Sequence, residues 1–203
     1  MKHKLLIVLI LIAISPTSFA ANYLLKIGEK IYEISLDESI DVQVGDKLLP
    51  VKLELKKTLT FKTENFSFQH PSEYTPSKSE LDSDIFQTAM ITPLGSILMV
   101  QEYLTLDPSG LVDLMVNELT KEEQNYGYKI DSSDTSITLS DGKVLEGKIV
   151  TSKYKGTDIK RVIYTYSVKD SGLLLVTQFD YEIDPDGETL LMDAIKSLEI
   201  TME

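Results

Sequence analysis

Apolar and polar residues alternate with a period of two along most of this chain, and give way to helical spacing in two stretches. Over residues 21–63 the pattern predicts small β-structure. "YLLKI" and "IYEIS" flank "GEK", a hairpin signal, and "IDVQV" then meets "GDKLLP", a turn-rich break. "VKLELKK" and "LTFKT" follow. Val51, Leu53 and Leu55 fall on one face there, and Lys52, Glu54 and Lys56 on the other. This segment is expected to be a small N-terminal β-hairpin extension of four short strands.

From residue 64 onward the pattern predicts one α+β domain, reaching residue 203. Phe66, Phe68 and His70 share a strand face, Ser67 and Gln69 share the other, and Pro71 closes the run. "PSEYTPSKSELDS" is polar and rich in Pro and Ser, and is expected to be a surface loop. "DIFQTAMIT" and "SILMVQEYLTL" are strands around the hairpin signal "PLG". The period then changes. Leu111, Leu114, Met115 and Leu119 make an apolar stripe, with Asp107 placed as N-cap, Pro108 at the first helical position and Gly127 as the stop. Strands follow at about 135–139, 143–153, 158–168 and 172–183. Val162, Tyr164, Tyr166 and Val168 line one face of the third. Leu173, Leu175, Phe179, Tyr181 and Ile183 line one face of the fourth, with Thr177 as its polar exception. A second helix carries Leu190, Leu191, Ala194, Ile195 and Leu198, started by Asp184 and Pro185, and "LEITM" leaves as a short strand or tail. "QEYLTLDPSGLVDLM" and "QFDYEIDPDGETLLM" echo each other at one constant offset. In each, a strand runs into an Asp-Pro helix start, which the separate preferences for Asp and Pro at that point explain.

The N-terminus adds a destination. "MKHK" is basic, "LLIVLILIAI" is too short an apolar run to span a bilayer with comfort, and "SPTSFA" ends in the small residues that a signal peptidase reads. Residues 1–20 are expected to be a signal peptide cleaved after Ala20, leaving a periplasmic or secreted protein with no membrane insertion after cleavage. The chain has no cysteine, which excludes disulfides, thiol catalysis, a lipoprotein anchor and cysteine-ligated metals. Its formal net charge is −12, from 32 acidic and 20 basic residues, and it becomes more negative once Lys2 and Lys4 leave with the leader. Such a surface repels phosphate backbones and anionic lipid, so nucleic acid is discounted, and the charge serves either simple solubility or a basic protein partner.

Candidate chemistry is sparse. His70 is the one histidine left after the leader, and it reads as a strand-end residue on the face of Phe66 and Phe68. No G-x-S-x-G elbow and no phosphate-binding glycine motif accompanies it. Glu182, Asp184, Asp186, Gly187 and Asp193 fall at positions 1, 3, 5, 6 and 12 of a calcium loop. However, position 1 wants Asp, position 12 wants Glu, and a helix starts inside the run, so helix capping accounts for Asp184, Asp186 and Glu188 without metal. The tyrosines fall mostly at alternating strand positions, where they complete core edges. No catalytic, cofactor-binding or metal-ligating residue is singled out, and no cofactor is expected.

The opening "FSFQHPSEY", with Phe66, Phe68 and Pro71, the central "KVLEGKIVTSKYKGTDIKRVIYTYSV" and the closing "LMDAIKSLEI", with Ser197-Leu198, resemble the PsbP-like family. That family includes DcrB-type bacterial periplasmic proteins and a Ran-binding nuclear import factor. The resemblance covers about two-thirds of the chain, from residue 64 to the C-terminus. It implies an antiparallel sheet flanked by two helices, an α/β/α sandwich, and a binding or accessory role without catalytic residues. The expectation is therefore a secreted, non-catalytic binding or accessory protein. An inhibitor or immunity protein blocking a basic hydrolase is the first alternative, and a carboxylate-based hydrolase the second.

Overall fold

The computed structural model describes residues 23–202; the leader expected over residues 1–20 lies outside them. The chain divides into two units between Leu55 and Lys56. In the first unit, β1 (Tyr23–Ile27) pairs antiparallel with β2 (Lys30–Ile34), and β3 (Ser39–Val44) with β4 (Lys47–Lys52). Each hairpin turns through two residues, led by Gly28 and Gly45, both at φ 61°, as the favoured tight hairpin turns require. Ile34 and Val42 are buried. β4 runs through Leu48, Leu49 and Pro50, where the sequence suggests a break. A two-stranded ribbon leaves an open edge on each strand, and there the missing proline N–H is tolerated. The strand ends at Lys52, before the alternating Leu53 and Leu55.

The second unit is mostly sheet, with two α-helices among the described residues, which makes it α+β. β5 (Thr58–Lys62) and β6 (Phe66–Pro71) are followed by β7 (Ser77–Asp82), β8 (Ile85–Ile91) and β9 (Ile97–Tyr103). A single 3-10 turn (Pro108–Leu111) leads into α1 (Val112–Tyr126). Then come β10 (Lys129–Thr138), β11 (Val144–Tyr154), β12 (Thr157–Val168), β13 (Ser171–Asp180), α2 (Gly187–Lys196) and β14 (Glu199–Ile200). Seven strands form one antiparallel sheet in the order β10-β11-β12-β13-β9-β8-β7, and three form another, β14-β6-β5.

Two segments differ from the sequence reading. Thr58–Lys62, read as the end of the extension, pairs with β6 instead, and the Phe61 and Phe68 rings lie 5.5 Å apart. Ser77–Asp82, read as loop, is the edge strand β7. All six of its residues are exposed, so no apolar alternation marks it. It is held by Lys78, whose Nζ lies 2.7 Å from Oε1 of the buried Glu102 and 4.7 Å from the Phe86 ring centre. A bulge at Glu80/Asp82 and the charges along β7 suit an edge that must not recruit another strand.

Alternate residues of β12 and β13 feed two separate clusters. Val162, Tyr164, Leu173, Leu175 and Phe179 pack with Phe66 and Phe68 of β6 and with Leu191, Ala194 and Ile195 of α2. Ile163, Leu174 and Val176 pack with Val150 and with Val112, Met115, Val116 and Leu119 of α1. Leu114, expected in the α1 stripe, is 56 % exposed. The helix begins at Val112, after the 3-10 turn, so its inner face runs through 112, 115, 116 and 119 and leaves 114 outside.

The two Asp-Pro starts are not alike. Asp107 accepts from Ser109 N at 2.8 Å, as a cap should, although the turn it caps is 3-10. Asp184 does not cap α2, whose preceding residue is Asp186. It is buried, and its Oδ2 accepts from Ser96 Oγ at 2.7 Å and from Thr92 Oγ1 at 3.1 Å, tying the β8–β9 hairpin to the approach of α2. Asp184→Ala leaves both hydroxyls without their acceptor. It should cost about 1–3 kcal/mol in urea unfolding, and an unchanged midpoint would contradict the clamp.

Candidate functional site

Alternation along β6 puts His70 on the face of Phe66 and Phe68, at the end of the strand. The ring is only 6 % exposed and stands edge-on to Phe68, with centres 6.1 Å apart. His70 Nδ1 lies 2.9 Å from the carbonyl oxygen of Pro71. A carbonyl can only accept, so Nδ1 is the donor in this contact. Nε2 has no hydrogen-bond partner among the described residues.

Beside the ring runs a groove of about 500 Å³, between this end of the β5–β6 pair and α2. Pro71, Leu190 and Ala194 give it apolar wall, and Asp186, Thr189 and Asp193 stand around it. The α2 residues involved, 186, 189, 190, 193, 194 and 197, recur at helical spacing and so share one face. Ser197 fastens the end of α2 to β6: its Oγ donates to Ala194 O at 2.7 Å and accepts from Gln69 N at 2.8 Å. Asp186 sits at the helix N-terminus, where a carboxylate is favoured. Asp193 is exposed and only loosely paired with Lys196, at 4.0 Å.

The calcium-loop residues are thereby separated. Asp186 and Asp193 reach the groove, while Asp184 is engaged with Thr92 and Ser96. Among the described residues, no three His, Asp or Glu side chains converge in a way that could hold a metal. Next to the groove residues, Glu188 accepts from Lys160 Nζ at 2.5 Å and from the Tyr181 hydroxyl. Burial pushes the Glu188 carboxyl up, but the hydrogen bonds from Lys160 and Tyr181 outweigh it and hold the group below its ordinary value. Asp107 is also held low, by Ser167 and then Ser109, and Asp141 by Lys143. A second, more polar cleft of about 580 Å³ lies near the start of α1, but its one cation, Lys148, is already paired with Asp113 at 2.8 Å. The groove beside His70 is thus the candidate site. The apolar stripe of α2, with Leu190 and Ala194, is visible in the sequence; its meeting with the end of β6, more than a hundred residues earlier, is not.

No family model and no curated protein sequence matches this chain. Among solved structures, it is similar to the cyanobacterial PsbP (CyanoP) of Synechocystis sp. PCC 6803, at 7% identity and a TM-score of 0.49, over 72% of this chain and 94% of that one. It is also similar to a protein of Bacteroides thetaiotaomicron, at 10% identity and a TM-score of 0.35, over 72% of this chain and 49% of the other. A Pseudomonas aeruginosa protein of unknown function is similar at 13% identity and a TM-score of 0.32, over 70% and 96% of the two chains.

Proposed function

We propose that this chain is an exported, periplasmic binding or accessory protein of the PsbP-like kind, without catalytic activity, acting on a basic protein partner. The observation that carries the reading is the state of the polar groups in the groove. A nucleophilic serine needs its hydroxyl hydrogen-bonded to a base. The Ser197 hydroxyl instead donates to Ala194 O, and Nδ1 of the His70 ring donates to Pro71 O. A general acid working near neutral pH needs a carboxyl pushed up, whereas Glu188, next to the groove residues, is displaced downward. The net charge of −12 supports a partner of opposite sign. The same charge favours a second reading, an inhibitor of a basic hydrolase, in which the partner loses activity on binding.

The exported protein should show an N-terminus at or within about two residues of Ala21 by mass spectrometry, and no turnover on peptidase, esterase and glycosidase substrates. Intact Met1 in the membrane fraction would refute export. Turnover that disappears in Ser197→Ala or Asp186→Asn would refute the non-catalytic role.

A further inference from the structure

We infer that the groove beside His70 takes a cationic side chain, arginine or lysine, presented by an extended segment of the partner protein. The inference rests on the binding role above and names what the site recognises. With Nδ1 donating to Pro71 O, the His70 ring in its neutral form has Nε2 left as an acceptor, and it is held by Pro71 and Phe68 and nine-tenths buried. Asp186 and Asp193 bring two carboxylates to the same groove. The two carboxylates would repel an anion, and a purely apolar group would leave the buried Nε2 unanswered. A side chain with a hydrocarbon stem and several N–H donors answers both parts of the groove. Its stem lies along Pro71, Leu190 and Ala194, and its charged head meets Nε2 and the carboxylates.

The sheet indicates that this cation is borne on a chain. β5, whose Thr58 lines the groove, is an edge strand in the order β14-β6-β5. Among the described residues, no strand pairs with its outer side. A bound segment can therefore add main-chain pairing along β5 while one of its side chains enters the groove, the usual division between backbone affinity and pocket specificity.

The test is an NMR titration of the full chain with three probes: a capped hexapeptide with one central arginine, the same peptide with norleucine in its place, and agmatine. The arginine peptide is expected to give saturable shifts of the His70 ring and of the Leu190 and Ala194 methyls. Agmatine should bind at least ~10-fold more weakly, since it gains no backbone pairing, and the norleucine peptide should give no saturable shift. Asp186 and Asp193 are both exposed, so Asp186→Asn/Asp193→Asn should lower the melting temperature only slightly, through the lost charge at the helix N-terminus, while weakening the arginine peptide by ~10-fold or more. Agmatine binding as tightly as the peptide would overturn the inference in favour of a free small cation. Equal binding of the norleucine peptide, or no saturable shift, would overturn it outright. Cleavage of a peptide that binds as expected would uphold the cation site and refute the non-catalytic role, so the two failures are distinct.

Discussion

Gly147→Ala should destabilise the second unit by roughly 3 kcal/mol, at the upper end of what overpacking costs. Gly147 lies in β11 opposite Tyr164 of β12. A Cβ at Gly147 would fall 1.8 Å from the carbonyl oxygen of Ile163, 2.8 Å from its carbonyl carbon and 2.9 Å from the Tyr164 Cα. All three atoms are backbone, so no side chain can swing aside. The strands must part, and β12 cannot retreat freely because β13 pairs with it along its other edge. Gly110→Ala is the control, since a Cβ there meets nothing within 4 Å. It should stay within about 0.5 kcal/mol of the parent. Urea unfolding with an unchanged slope would read both, and equal midpoints for the two variants would contradict the close approach of β11 to β12.

Glu123→Ala should be the most damaging loss of a charged group. Arg161 on β12 is buried, and its guanidinium makes a two-pronged contact with Glu123 of α1, at 2.5 Å and 3.0 Å. Its Nε also donates to Gln178 at 2.7 Å, and Nη1 reaches Ser152 at 3.3 Å. These neutral groups orient the cation but do not balance it. Removing the carboxylate leaves a buried charge unpaired, which costs about 3–5 kcal/mol. The pair itself is not irreplaceable. Arg161→Met with Glu123→Leu removes both charges while keeping volume, and should recover most of the loss, because desolvating two ions offsets much of their attraction. A double variant as unstable as Glu123→Ala would contradict this and point to lost packing instead.

Much of this architecture is legible in the sequence, and the exceptions have physical causes. The inward residues of β12 and β13 from Val162 to Phe179 could be read because those strands bury one apolar row on each face. β7 was hidden because an exposed edge strand needs no apolar row, and its anchor, Lys78 on Glu102, joins residues far apart in the chain. Glu123 sits in the last turn of α1, where a carboxylate is locally unfavourable. Only Arg161 explains it, and no local pattern shows that pairing. Asp184 carries the residue type of a cap but serves Ser96 and Thr92, because its burial lets two hydroxyls compete for it. The candidate site divides in the same way. His70 was legible as the end of a strand, Asp186 as part of an acidic helix start and Asp193 only as the last position of a poorly fitting calcium loop, whereas their shared groove depends on how α2 crosses β6.

The claim that this groove is the working surface can be tested most directly by photo-crosslinking in the cell. A photoreactive residue at Thr189, exposed at the groove, is compared with one at Leu114, exposed on α1. A single discrete adduct with a basic protein from position 189, lost on adding Asp186→Asn/Asp193→Asn and absent from position 114, is the result predicted. No adduct from 189, or the same adduct from both positions, would contradict it.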